Sequence, residues 1–354
     1  MKILYGIQGT GNGHISRARI LARHLEKTDI DVTYLFSGRE RKDFFDMEIF
    51  GDFLCLRGFT FYSTNGAVSY KKTLLNNNIF HFLSDLISLD LTDYDLIITD
   101  FEPISAWAGK LRNKKVIGLG HQYAFNHNIP RAGDNALTRS IMRYFSPATI
   151  SIGLHWNHFG NQEVLPPIID TEHILPTNES IDSKSGKKNI LVYLPFENQD
   201  VVQKILKNFT DYYFTVYAPQ NTNQDINHIA LRKTCLNGFK SDLASSDGVI
   251  CNSGFELISE CLHLGLPILT KPQSGQMEQQ SNAAALQQLN YALTMKALDA
   301  DIIQQWLDNI DNATPSMVLP DVAKYIVDWL LAGQTESIEQ LGSDLWEKVS
   351  YRKV

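Results

Sequence analysis

The chain has 354 residues, a net charge of −7 and 44% apolar residues. That is enough material for two domains of ordinary size. The acidic balance excludes general nucleic-acid binding, which shows as a basic excess, and no apolar run reaches the ~18 residues that span a bilayer.

The first strand starts at once, in KILYGI (2–7), so no signal peptide is expected. The four cysteines, Cys55, Cys235, Cys251 and Cys261, lack CxxC spacing and read as reduced thiols in a cytoplasmic protein. In the first half, strands are expected at 2–7, DVTYLFS (31–37), DLIITD (95–100) and KKVIGLG (114–120). Between the first two, Ile15, Ala18, Leu21, Ala22 and Leu25 recur at helical spacing. The rhythm breaks after Pro166–Pro167 and restarts with NILVYLP (189–195), DYYFTVYAP (211–219), GVICN (248–252) and LPILTKP (266–272). Strands alternating with helices predict an α/β protein with parallel sheets. The expected division is a first domain at 1–165, a linker at 166–187, a second domain at 188–330 and a C-terminal helix at 331–354 that crosses back. From Asp321 to Lys348 the tail reads as helical, with Trp329 and Trp346 as packing anchors.

The stretch GIQGTGNGHISR (6–17) joins the first strand to the first helix. It does not complete G-x-G-x-x-G, and FSGRE after the second strand offers no aspartate for a ribose, so a dinucleotide is not expected. A glycine turn before a helix lets a ligand approach the backbone closely and offers unpaired N–H groups. Gly11 and Gly13 give that loop its freedom. His14 stands at the helix start, above the carboxyl edge of the sheet, where the dipole disfavours imidazolium and leaves the ring able to accept a proton. The alternative is a loop histidine that only satisfies backbone groups.

The second informative stretch is GVICNSGFELISECLHLGLPILTKPQSGQMEQQSNAAAL (248–286). Asn252, Ser253 and Gly254 lie between a strand and a helix. Ser253 and Glu256 fit a capping box. A helix N-terminus with carboxylates and amides nearby suits a phosphorylated sugar, because carboxylates take paired hydroxyls in charge-assisted bonds.

This pattern, S-G-x-x-x-x-x-E-x-x-x-x-G-x-P followed by E-Q-Q-x-N-A, resembles the donor-binding region of inverting GT-B glycosyltransferases. That superfamily includes the N-acetylglucosaminyltransferases of peptidoglycan lipid intermediates and the transferases that carry UDP-sugars to small molecules. The opening G-T-G-x-G-H resembles the loop those enzymes place under the acceptor, and the likeness runs over essentially the whole chain. Within the superfamily the chain is most similar to an uncharacterised bacterial and archaeal group. The resemblance implies two facing Rossmann-like domains and direct, metal-independent displacement. It implies no cofactor beyond a nucleotide-diphosphate sugar as co-substrate. It places Ser253 and Gly254, with Asn252, at the donor diphosphate, Glu260 on the ribose, and Glu278, Gln279 and Gln280 on the transferred sugar. It makes His14 the general base and Asp100 its orienting partner, with Glu102 the nearby alternative. The alternative for Asp100 is a strand-end carboxylate that caps the next helix.

Some positions depart from the pattern. Asn252 stands where many relatives have histidine or arginine, and Leu257 where small-molecule transferases often have Ser or Thr. Glu256 falls in the first turn of the helix expected to meet phosphate, where its charge would repel the donor. Pro195–Asn198 replaces a Gly-Ser loop.

Two segments suit an acceptor: the aromatic-then-basic stretch 53–72, and residues 120–147, where Arg139 and Arg143 lie one turn apart and His121 is a candidate contact. His127 and His155 are further candidates. A basic amphipathic helix carrying Arg139 and Arg143, with Ile141, Met142, Tyr144 and Phe145 around them, would suit peripheral contact with the inner face of a membrane, although a domain-packing helix with solvated arginines explains the same pattern. No HxxxH or HExxH spacing points to a metal. The reading is therefore an inverting sugar transferase whose expected acceptor is a hydroxyl of a cell-envelope glycan or lipid precursor. A nucleotide-sugar hydrolase with a similar G-x-G-H-x-x-R loop, here Gly11, Gly13, His14 and Arg17, and a non-catalytic nucleotide-sugar binder are its rivals.

Overall fold

The computed structural model describes residues 1–60, 63–64, 67–68, 77–172, 186–312 and 315–353. Most of the expected acceptor stretch beyond Thr60 and the centre of the expected linker, 173–185, lie outside these residues.

Two seven-stranded sheets form the framework. The first runs Leu54–Leu56, Asp31–Ser37, Lys2–Gln8, Leu96–Asp100, Val116–Gly120, Ile150–Leu154, Val164–Leu165, all parallel. The second runs Gln224–Ile226, Ile229–Lys233, Tyr213–Ala218, Asn189–Tyr193, Gly248–Asn252, Ile268–Lys271, Leu293–Thr294. Only its edge strand Gln224–Ile226 is antiparallel to its neighbour. All eight expected strands are present, and the remaining strands extend the sheets outward. Helices cover both faces of a parallel sheet, which is why Leu96–Asp100 and Gly248–Asn252 are buried along their whole length and read as unbroken apolar runs.

In each sheet the strand order reverses next to the domain's first strand, between Lys2–Gln8 and Leu96–Asp100 and between Asn189–Tyr193 and Gly248–Asn252. A crevice opens at the carboxyl ends of the strands at such a reversal. Between the sheets the apolar core is continuous. Ile15, Trp156, Phe255 and Ile258 belong to one buried cluster that spans both domains, while separate clusters fill the outer faces. Trp156 donates its indole N–H to Ser259 Oγ at 2.8 Å across the domain boundary.

The return to the first domain starts before the expected boundary at residue 330. The helix Val322–Leu331 already packs on the first-domain helix Asn12–Leu25, with His24 Nε2 3.2 Å from Asp321. Gly333, at φ +73°, then turns the chain in a backbone conformation that glycine adopts without strain. A second helix, Ile338–Trp346, follows, and the Trp346 indole N–H donates to the Val164 carbonyl at 2.6 Å. The last strand, Ser350–Lys353, pairs antiparallel with Pro315–Val318 beside the helix Phe255–Leu264 of the second domain.

Candidate active site

A cleft of about 530 Å³ lies between the two carboxyl edges, within the range of ordinary ligand sites. Its first-domain wall includes Gln8, Gly11, Gly13, His14, Phe101 and Gln122, and its second-domain wall includes Asn252, Gly254, Glu256, Glu260, Glu278 and Gln279.

The register of the first sheet sets Ile7 beside Asp100. The loop after the first strand and the end of Leu96–Asp100 therefore emerge side by side. His14 Nδ1 lies 2.6 Å from Asp100 Oδ1. Phe101 follows at φ +53°, an uncommon backbone for a bulky residue, and turns the chain sharply after Asp100. Asp100 is wholly buried, and it also receives Arg17 through Nε at 2.8 Å and Nη2 at 2.6 Å, a forked pair. Burial by itself would raise the Asp100 carboxyl; the Arg17 and His14 charges outweigh it and hold the carboxyl below the usual range. Burial likewise opposes the Arg17 charge, and Asp100 and Glu256 more than restore it.

Glu102 does not share this site. Its side chain is buried, accepts from the backbone N–H groups of Ile104 and Ser105 and from Ser37 Oγ, and caps the helix Pro103–Leu111. His121 also turns away from the cleft. It is buried between Leu154 O at 2.8 Å and Asn282 Oδ1 at 2.7 Å and stacks on Phe255 with ring centroids 4.0 Å apart. His155 is buried beside it, its Nδ1 accepting from the Trp156 backbone N–H. Burial and the neighbouring His121 push its pKa well down.

On the opposite wall the expected capping box is not formed. The helix Phe255–Leu264 begins at Gly254 with no side-chain cap. Ser253 Oγ instead pairs with Thr270 Oγ1 at 2.9 Å, and the Glu256 carboxylate reaches across the cleft to Arg17 Nη1. The repulsion expected from Glu256 is thus offset by a cation of the first domain, and the first turn keeps its backbone N–H groups free of any side-chain cap.

Glu260 lies one turn further along, nearly buried and paired with Lys240. Burial raises its carboxyl, and Lys240 counters only part of that rise. Asn252 donates Nδ2 to the Lys271 carbonyl at 3.0 Å, leaving Oδ1 without a partner. Glu278 accepts from Gln122 Nε2 at 3.0 Å, and Gln279 accepts from the Gln273 backbone N–H at 2.8 Å. Gln280 is not part of the cleft wall; it lies against Gly133 of the first domain. Pro195 and Phe196 line the cleft, and Glu197 beside them makes a buried ion pair with Lys271 at 2.7 Å, which gives that loop its own anchor.

Among the described residues, Gln8 Oε1, Gln122 Oε1, Thr234 Oγ1, Asn252 Oδ1 and Gln276 Oε1 are buried oxygens without a hydrogen-bond partner, and all five residues line this cleft. Buried oxygens without partners are rare, and their gathering here fits a ligand that brings many hydroxyl or N–H donors. No group of three or more His, Cys, Asp and Glu able to hold a metal is found among the described residues. On the helix Ala136–Tyr144, Thr138, Ile141 and Met142 face the cleft, while Leu137 and Tyr144 are exposed. Arg139 pairs with Asp134 at 2.9 Å.

Lys240 and Gln122 were not among the expected site residues, and Arg17 was named only as part of the G-x-G-H-x-x-R loop of the hydrolase alternative. Only the spacing of Arg17, one turn after His14, is visible in the sequence. Lys240 is brought to Glu260 by helix packing within the second domain, and Gln122 meets Glu278 only across the domain boundary.

The profile described as glycosyl transferase family 1 matches residues 1–311. An uncharacterised glycosyltransferase of Methanosarcina acetivorans is 28% identical over 112 residues, which is 32% of this chain and only 26% of that relative's length. Among solved structures, MurG of Acinetobacter baumannii superposes with a TM-score of 0.54 and 13% identity, covering 88% of this chain and 90% of that one. SnogD from Streptomyces nogalater gives 0.52 and 16% over 98% and 96%. The Streptomyces glycosyltransferase SsfS6, complexed with thymidine diphosphate, gives 0.56 and 12% over 93% and 99%. These three likenesses concern the fold.

Proposed function

Since the chain belongs to glycosyl transferase family 1, we propose that it moves a sugar from a nucleotide-diphosphate donor to an acceptor hydroxyl in one inverting, metal-independent displacement. The observation that carries this reading is the His14–Asp100 pair, 2.6 Å apart, facing an uncapped helix N-terminus across the cleft. Asp100 accepts a hydrogen bond from Nδ1–H, which fixes the tautomer and leaves Nε2 as the base that removes the acceptor proton. The acceptor oxygen attacks the anomeric carbon as the bond to the diphosphate breaks. The leaving charge is received by the first-turn N–H groups of Phe255 and Glu256. Glu260 holds the ribose hydroxyls, and Glu278 and Gln279 hold the sugar. The complex of SsfS6 with thymidine diphosphate supports a donor of this class.

The acceptor in this reading is a cell-envelope glycan or lipid precursor, met by peripheral contact with the inner face of a membrane. Ile79, Phe80, Leu83 and Ile87, all exposed on the helix Ile79–Ser88, supply apolar side chains for that contact. No helix among the described residues is long and apolar enough to cross a membrane.

A thermal-shift panel of nucleotides and nucleotide-sugars tests the donor site, because a ligand that binds only the folded state raises Tm. One nucleotide diphosphate is expected to raise Tm in the wild type and not in Glu260→Ala. No shift with any nucleotide would overturn the reading. Donor cleavage that is independent of every acceptor, and lost in His14→Ala, would assign a hydrolase instead. Donor binding with no turnover would assign a sensor.

A further inference from the structure

Arg17 is 1% exposed and uses its whole guanidinium. Nε and Nη2 hold Asp100, and Nη1 holds Glu256 of the other domain. Nη2 also lies 3.2 Å from His14 Nδ1. A full cation this close opposes the imidazolium that must form when His14 takes a proton. Asp100 alone only balances that cation, so the pair Asp100–Arg17 carries no net charge to favour a protonated ring. Glu256 supplies the second carboxylate and brings the cluster to a net charge of −1, the charge that an imidazolium needs. The chain makes room for it, because any side chain at Gly13, next to His14, would collide with the Glu256 carboxylate.

The charged groups facing the ring are Asp100, from the strand Leu96–Asp100, Arg17, from the ring's own helix, and Glu256, from the helix Phe255–Leu264. The Tyr5 hydroxyl lies near Asp100 and Arg17 and is kept neutral, its pKa raised by burial and by Asp100. Glu278 stands beyond Gln122, to which it is bonded.

We infer that Glu256 is a positioning residue for the His14 base, supplied by the donor-side domain and acting through Arg17. The base reaches full strength only when the two domains are together. An acceptor is then deprotonated only against a formed donor site. This rests on the proposed role of His14, and it is tested without any sugar chemistry.

The experiment is an NMR titration of the His14 ring in the full chain, comparing wild type with Glu256→Gln, Glu256→Asp and Gly13→Ala. Glu256→Gln removes the charge and keeps the shape. It is expected to move the His14 midpoint down by about one pH unit, a tenfold loss of proton affinity. Gly13→Ala keeps every charge but displaces the carboxylate, and a shift in the same direction is expected. Glu256→Asp should recover part of the loss. An unchanged midpoint in either folded variant, Glu256→Gln or Gly13→Ala, overturns the inference, because a merely structural contact would lower Tm without moving the titration. The outcome is independent of whether nucleotide-sugars bind, so failure of this inference and failure of the transferase reading are separable.

Discussion

His121 and Asn282 meet across the domain boundary, Nε2 to Oδ1 at 2.7 Å, and the Asn282 amide is oriented by its own bond from Nδ2 to the Ser253 carbonyl at 2.9 Å. One asparagine therefore ties a first-domain histidine to the loop that opens the donor-side helix. Asn282→Ala leaves a buried ring nitrogen and a buried carbonyl without partners. Stability is expected to fall by about 1–3 kcal/mol, read by chemical denaturation. Nucleotide affinity should fall as well, because the Ser253–Gly254 turn loses its support. Unchanged affinity in calorimetry would mean that this turn holds itself.

Asp100 makes stability depend on pH with a definite sign. Its carboxyl is held below the usual range in the folded chain. A depressed carboxyl adds stability that is fully present above the unfolded value, about 3.9, and is lost as pH falls through the folded value. Denaturation midpoints should therefore drop on acidification below about pH 4. Asp100→Asn should weaken that dependence and cost about 3–5 kcal/mol at neutral pH by stranding the buried Arg17. An equal acid dependence in the variant would assign the effect to other carboxylates.

The same substitution bears on turnover. With Asp100→Asn the Nδ1 proton has no anionic acceptor, and the tautomer that frees Nε2 is no longer held. Transfer is expected to drop about 10²–10⁴-fold, with nucleotide affinity nearly unchanged. A comparable loss of nucleotide binding would place Asp100 in the donor site instead.

Trp329 lies on the helix that returns to the first domain and donates its indole N–H to the Glu336 carbonyl at 2.9 Å. It is almost fully buried. Trp329→Ala should cost about 3–5 kcal/mol. The loss should also loosen contacts far from this helix, since the two sheets share one apolar cluster. Hydrogen exchange would show faster opening at the domain boundary, and an effect confined to 322–346 would contradict that coupling.

The parallel strands were legible because burial on both faces leaves unbroken apolar runs such as LIITD. The outer strands were not, because Gln224–Ile226 and Ile229–Lys233 carry polar or charged residues at the exposed margin of the sheet. His14 could be named from its place at the loop end, Asp100 only through the family resemblance, and only the register beside Ile7 brings them together. Glu256 was misread for a physical reason. A carboxylate in a first turn looks like a cap or an obstacle until its partner is known, and Arg17 lies 239 positions away. His121 and Glu102 were misplaced in the same way. A polar residue next to a cleft-forming strand end can turn into the wall, and only the packing of Phe255 on His121 and the cap at Ile104–Ser105 decide which way it goes.

The path of the chain has a consequence for recombining this protein with its relatives. The polypeptide passes between the domains after Leu165, again between Val318 and Val322, and a third time between Trp346 and Ser350. The donor-side half is thus an insert whose closing strand is supplied by the last residues of the chain. A chimera cut once in the linker would import the helices Val322–Leu331 and Ile338–Trp346 along with the new half and set foreign surfaces against Asn12–Leu25. A workable exchange needs cuts near 188 and 320, with Ser350–Lys353 carried along as a second, separate graft.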